Sequence, residues 1–537
     1  MDDRTNDTTE DRLSRRALLL GAGGAALGGA AALAQGGLGI GSGGAARAEA
    51  APPAWRGGAD PVTYRPAYHL SVPTAWKNDP QRPIRVGDEY LYYYLANADY
   101  LEGGGGTAWR LATTRDHVRF EDVGIAIPKF TNANGDVWSG SAVVDTGNTA
   151  GYGAGAVIAI ATQAPEGVQG QYLWVSTDGG RTFRPGPAEP VLANPGVRDF
   201  RDPKVVRDDD RGRWCLLNAE GDRIGIYASA DLRSWERVGE HVVPGLGLVE
   251  CPDLFRMRAD DGTRHWVLGT SANGKGRGLP ATYCYWVGDF DGARFTTAQA
   301  EPGWLDRGYD FYGAVTYDAH DAAGAVDETL RRAIGWANFW DYPHAAPSLV
   351  TDGYNGDDMI VREVRLVARG GGAYALASQP PAALSRYGRR THRLGDVRVA
   401  GTLDVDVRSV AYELSCELRW DPADRPSNIG FEVRRAPLGG RHVAVGAFLD
   451  GPFAYVNRRS TWSPQGGETQ TPIDPASGRL RMRILVDRSS VELFVGDGVD
   501  VHSHRVFPLP GDDRIRLYAN DGAAVFGDLV VRELAVP

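Results

Sequence analysis

A short pattern returns four times between residues 110 and 300, and it constrains the fold more than any other feature of the chain. The copies are Thr114-Arg115-Asp116-His117-Val118-Arg119-Phe120, Ser176-Thr177-Asp178-Gly179-Gly180-Arg181-Thr182-Phe183, Ser229-Ala230-Asp231-Leu232-Arg233-Ser234-Trp235 and Gly288-Asp289-Phe290-Asp291-Gly292-Ala293-Arg294-Phe295. Counted on Asp116, Asp178, Asp231 and Asp289, the spacings are 62, 53 and 58 residues. Each copy places an Asp-containing turn before an aromatic residue, and alternating apolar runs such as Tyr172-Leu173-Trp174-Val175 lead into it, which reads as a hairpin closing a small sheet. A repeat of that length is one propeller blade. With room for a fifth copy before Pro380, the expected fold is all-β, with a five-bladed β-propeller over residues 62–378.

The texture changes after Arg369, through Gly370-Gly371-Gly372, Gln379-Pro380-Pro381 and the basic stretch 386–393. Beyond it, alternating apolar runs at 397–407, 410–420, 429–435, 442–448, 480–486, 490–495 and 515–520 predict short strands with almost no helical periodicity. A C-terminal β-sandwich over 390–537 is expected. The chain's 70 Gly, 14 Trp and 22 Tyr suit turn-rich β architecture with rings available for stacking on sugars.

Residues 17–46 carry no charge and follow Ser14-Arg15-Arg16, which resembles a twin-arginine export signal with small residues at Ala46-Arg47-Ala48. Residues 1–48 are read as a signal peptide, giving an exported protein with no membrane association after cleavage. The formal charge of −10 and the lack of a basic run argue against nucleic acid as a partner. Cys215, Cys251, Cys284 and Cys416 are spaced for neither a zinc cluster nor a disulfide framework, so no metal and no cofactor are expected, although one bridge stays open.

Three acids recur near the starts of blades: Asp79 in Trp76-Lys77-Asn78-Asp79-Pro80-Gln81-Arg82-Pro83, Asp202 in Arg201-Asp202-Pro203, and Glu250 in Val249-Glu250-Cys251-Pro252. With Trp138-Ser139 and Asp310-Phe311-Tyr312, the anchors at 79, 138, 202, 250 and 310 lie 59, 64, 48 and 60 residues apart. Inner strands of a propeller begin around one end of its channel, so the acids should converge there. Two such carboxylates can divide glycosidic cleavage, one ionised towards the anomeric carbon and one protonated to serve the leaving oxygen.

These strings resemble glycoside hydrolase family 32, the invertase, inulinase and levanase group, over about residues 65 to 535. WKNDPQRP at 76–83, FRDPKVV at 200–206 and VECPDLF at 249–255 correspond to the family's NDP, RDP and EC boxes; WSGSAVVD, DFYGAVTY, GWANFWDY and DRSSVELFVGDG at 138–145, 310–317, 335–342 and 487–498 are family-like too. The resemblance implies Asp79 as nucleophile, Glu250 as general acid/base and Asp202 as transition-state stabiliser, in a retaining mechanism through a fructosyl enzyme. It also implies substrate contacts from Trp76, Asn78, Trp138, Ser139, Arg201, Trp336 and Trp340, and a monomer acting on a fructan polysaccharide.

Two departures bear on substrate. Gln81-Arg82-Pro83 replaces the usual Asn-Gly, and Tyr94 falls where the family places a sugar-contacting Gln. The Asp-Pro-Gln-Arg-Pro variant resembles the levan fructotransferase branch and its levan-degrading relatives, Gln81 and Tyr94 are expected beside the sugar, and β-2,6 levan is favoured over inulin or sucrose. Hydrolysis and intramolecular transfer to a cyclic difructose stay open. Competing readings are an inverting arabinanase or xylosidase, with carboxyls about 6.5 to 9.5 Å apart instead of about 5 to 5.5 Å, and a non-catalytic fructan-binding propeller.

Overall fold

The computed structural model describes residues 64–272, 278 and 281–537; the expected leader lies outside the described residues. Five sheets form the propeller, antiparallel except where Ala75–Pro80 pairs in parallel with Tyr354–Asn355. Their inner strands are Ala75–Pro80, Gly140–Asp145, Arg201–Asp208, Val249–Arg258 and Tyr312–His320. Residues 138, 202, 250 and 310 thus fall at or just before the beginnings of inner strands, whereas Asp79 is the fifth residue of its six-residue strand.

The strand Ala156–Gln163 shows why such runs stack as blades. Every residue in it is buried. Val157, Ala159 and Ala161 face a cluster with Tyr93, Trp109 and Trp174, while Ile158 and Ile160 face Val205, Trp214 and Leu216 of the next blade. A strand covered on both faces has no polar side to alternate, hence its nearly continuous apolar sequence.

The repeated aspartates cap the turn between third and fourth strands. Asp178 accepts the backbone N–H groups of Arg181 and Thr182 at 3.0 and 3.1 Å, and Asp231 those of Arg233 and Ser234 at 2.9 and 2.8 Å. In the fourth copy the residue doing this is Asp291, bonded to Ala293 and Arg294, rather than Asp289, which lies within the strand. The fifth blade turns instead on Gly370, Gly371 and Gly372, with φ of 81°, 60° and 80°, so it is invisible to a search for the Asp pattern.

The sandwich departs from a row of short strands. Two 21-residue strands, Gly388–Arg408 and Arg514–Leu534, pair with each other along most of their length. Their first and second halves serve different layers: 514–520 pairs with Asn428–Arg435, and 525–533 with Tyr412–Arg419. The left-handed Gly401 (φ 83°) and Asp521 (φ 56°) take up the corner, which lets the ladder continue where a break was expected. Both layers close on one core that includes Leu414, Phe431, Val445, Leu493 and Phe526.

Sandwich and propeller meet through buried ionic groups. From the propeller, Arg362 donates to Ser503 Oγ of the sandwich at 2.7 Å and lies 3.6 Å from Glu492, and from the sandwich Arg458 pairs with Asp310 at 2.6 Å, all of these side chains fully buried. The segment before the first blade is clasped in the same way: the backbone N–H groups of Ala67 and Tyr68 donate to Asp487. His69 sits between Asp487 (Nδ1, 2.8 Å) and Glu492 (Nε2, 2.9 Å). Burial alone would lower the pKa of this imidazole, but the hydrogen bonds to Asp487 and then Glu492 outweigh it and push it up to about 10. A folded-state pKa above the unfolded value of about 6.5 stabilises fully below pH 6.5 and is lost as pH rises towards 10. The stability advantage of wild type over His69→Gln should therefore shrink steadily from pH 6.5 to 10 in denaturant titrations, and an advantage constant across that range would refute the imidazolium.

Candidate active site

Four of the five inner strands carry an irregularity, in the later part of Ala75–Pro80 and at the first residues of the other three: the register shifts between Lys77 and Pro80, Arg201 and Lys204, Glu250 and Asp253, and Tyr312 and Val315. In three of these the bulged residue is left-handed: Asp202 (φ 61°), Cys251 (φ 50°) and Gly313 (φ 54°). A bulge re-aims the side chains around it. Asp202 occupies the left-handed place itself, whereas Glu250 lies one residue earlier, level with Arg201 and Tyr312. The acids converge although they are not in strict phase.

Asp79, Asp202 and Glu250 line one cavity of about 140 Å³ together with Trp76, Asn78, Trp138, Ser139, Arg201 and Trp340. Ser139 Oγ donates to Asp79 Oδ2 at 3.1 Å. Glu250 is held at both oxygens: Arg201 Nε donates to Oε1 at 2.9 Å and the Tyr312 hydroxyl to Oε2 at 2.5 Å. Arg201 is itself anchored by Asp199 at 2.5 Å, while its Nη2 is buried with no acceptor among the described residues. Asp202 Oδ2 accepts the backbone N–H of Cys251 at 3.0 Å. Burial, and then the charge of Glu250, raises the Asp202 pKa against the opposing pull of Arg201. Two acids and one guanidinium thus share one buried pocket, a grouping in which each shifts the proton affinity of the others.

Three expected contacts are displaced. Gln81 lies beneath the cavity wall, where its amide donates to Asp79 O at 3.1 Å and Ser139 Oγ at 3.3 Å and accepts from Gly140 N at 2.7 Å. It fixes the residues that face the cavity and does not face it. Tyr94 points to the other side of its strand, into the cluster with Tyr92, Ala96 and Tyr354, and strand alternation gives the cavity wall to Leu95 instead. A sugar-stacking role for Tyr94 is therefore corrected. Trp336 is fully buried behind the wall, packed on Trp76 and Trp340 at 6.0 and 5.0 Å between ring centroids.

Other residues lining the cavity were not anticipated: Leu95, Asn97, Tyr100, Gly106, Thr107 and Asp136. Asp136 accepts from Thr107 N at 2.9 Å and Trp138 Nε1 at 3.1 Å, and burial raises its pKa. Tyr100 stacks on Trp76 at 5.1 Å. Tyr312 lay inside a family-like string but without a role; only its place one residue before a left-handed glycine, matching Glu250 before Cys251, could have flagged it.

Gly313 makes the closest backbone approach to Asp79. A Cβ there would come 2.8 Å from Asp79 Oδ1 and 2.9 Å from Cγ, at a left-handed φ. Gly313→Ala should shift the carboxylate and lower kcat/KM by roughly 10- to 100-fold, with a smaller effect on unfolding. Unchanged kinetics would show that the Asp79 position tolerates that displacement.

Family models match nearly all of the described chain: "Glycosyl hydrolases family 32 N-terminal domain" over residues 69–380 and "Glycosyl hydrolases family 32 C terminal" over 384–533. The chain is 44% identical over 475 residues to a levanbiose-producing levanase of Bacillus subtilis (strain 168), covering 87% of this chain and 90% of that protein. It is also 44% identical over 393 residues to a levanbiose-producing levanase of Geobacillus stearothermophilus, covering 73% of this chain and 98% of that one. Among solved structures, exo-inulinase from Aspergillus awamori matches with a TM-score of 0.77 at 24% identity, over 88% of this chain and 99% of that chain, a likeness of fold.

Proposed function

The chain belongs to glycosyl hydrolase family 32, and from that membership we propose that it is an exported levanase cleaving β-2,6-linked fructan with retention of configuration. In this reading Asp79 attacks the anomeric carbon of a fructosyl unit, with Ser139 holding one carboxylate oxygen in place. Glu250 protonates the departing oxygen and then activates the water that resolves the fructosyl-aspartate. Arg201 and Tyr312 orient both oxygens of Glu250 for that exchange. Asp202, fixed by Cys251 N, holds sugar hydroxyls, and the Trp76–Tyr100 stack with Trp340 supplies apolar faces for the ring.

The observation that carries the substrate is the 44% identity to levanbiose-producing levanases over most of both chains. It replaces the Tyr94 argument, since that ring is buried elsewhere. Chromatography of a levan digest tests the reading. Levanbiose or fructose as product supports hydrolysis, a non-reducing cyclic difructose would mean intramolecular transfer, and faster cleavage of sucrose than of levan would overturn the substrate. The export signal predicts a secreted chain starting near Glu49, which N-terminal sequencing of the secreted material checks.

A further inference from the structure

Past Arg82, the same inner strands enclose a second cavity of about 710 Å³ that none of the three acids lines. Arg82 stands as a crossbar between the two spaces: from the first blade it donates to Gly140 O of the second at 2.8 Å and to Pro252 O of the fourth at 2.7 Å. Three buried cations, Arg82, Lys204 and Arg331, line this cavity. Facing them is one fully buried carboxylate, Asp253, whose Oδ1 is 3.5 Å from Lys204 Nζ and 3.9 Å from Arg331 Nη2.

Most of the acids nearer the mouth are engaged by other cations, while Asp318 is taken up by Arg331 itself. Asp208 pairs with Arg211 and Arg213, Asp209 with Arg207, Asp210 and Glu328 with Arg256, and Asp318 with Arg331. Asp145 is spent on the backbone N–H groups of Thr149 and Ala150. With Arg331 matched by Asp318, the inner layer sets two cations, Lys204 and Arg82, against the single carboxylate of Asp253. Among the described residues Lys204 Nζ has no hydrogen bond, only its longer contact with Asp253, and Arg82 Nε is buried without an acceptor. Burial first, and then Arg331 and Arg82, pull the Lys204 pKa down against Asp253 and Asp318.

We propose that the axial channel holds a monovalent inorganic anion of the halide class, seated against Lys204 Nζ in the field of Arg82 and Arg331. A buried, unmatched cation is costly, and an anion drawn from solution offsets it. A spherical halide suits a layer that offers one ammonium and few fixed N–H groups, whereas a tetrahedral oxyanion needs more donors than these.

The test uses the whole protein and two independent readouts. In crystals of the wild type soaked in sodium bromide, anomalous scattering should place bromide beside Lys204. In solution, raising chloride from zero to 100 mM at ionic strength held constant with a bulky organic anion should lift the unfolding temperature by about 2 °C, and Lys204→Met should flatten that response. No bromide in the channel, or an equal chloride response in wild type and Lys204→Met, overturns the proposal. If Lys204→Met does not fold, the bromide map on wild type decides alone.

Discussion

Asp79→Asn is expected to remove turnover of levan by a factor of at least ~10⁴ while leaving folding intact. The amide is nearly isosteric with the carboxylate, Ser139 Oγ can still donate to its oxygen, and Gly313 leaves the same room. What is lost, in the proposed mechanism, is the negative oxygen that would form the covalent bond, and Asp202 is tied to Cys251 N and Glu250 to Arg201 and Tyr312. Binding of a levan oligosaccharide, measured calorimetrically, should stay within a few-fold of wild type. Residual turnover above about one per cent in protein free of wild type would count against Asp79 as nucleophile.

Arg458→Met should show the second-largest effect, although Arg458 is in the sandwich and does not line the cavity. Its Nη1 is 2.6 Å from Asp310 Oδ2, with both side chains fully buried. Removing the guanidinium strands a buried carboxylate, for which about 3 to 5 kcal/mol is usual, even though Arg505 N at 2.7 Å and the Tyr342 hydroxyl at 3.0 Å remain. Activity should fall too. Asp310 lies two residues before Tyr312, which orients Glu250, and Tyr342 shares a loop with Trp340 of the cavity wall. Adding Asp310→Asn removes the stranded charge, so the double variant should recover part of the lost stability; a double variant no more stable than Arg458→Met alone would show that the penalty has another source.

The blade count and the convergence of the acids were legible because both rest on local chemistry repeated at one period: an aspartate that caps a turn, and a polar residue at the start of an inner strand. The tilt of the cavity was not. Which face of Glu89–Asn97 meets the sugar depends on its pairing with a bulged neighbour, and one residue of register exchanges Tyr94 for Leu95. Asp136 and Thr107 meet through two loops 29 residues apart, a closure that no periodicity records. The continuous bent strands of the sandwich were hidden for the opposite reason, since Asp521-Gly522 reads as a turn when nothing shows that the ladder passes through it.

The clasp on residues 64–72 also bears on the direction in which a chain is made. The strand that carries Asp79 pairs on one edge with Glu89–Asn97, but its other edge is covered only by Tyr354–Asn355, and the segment leading into it is tied to Asp487 and Glu492. Those partners leave the ribosome some 280 and more than 400 residues after the strand itself. The middle blades can settle during synthesis, while the first must wait, with the strand of Asp79 unsupported, until residues 487–492 are translated. Ring closure thus works as a check on synthesis, in which only a chain translated past Glu492 acquires a finished site.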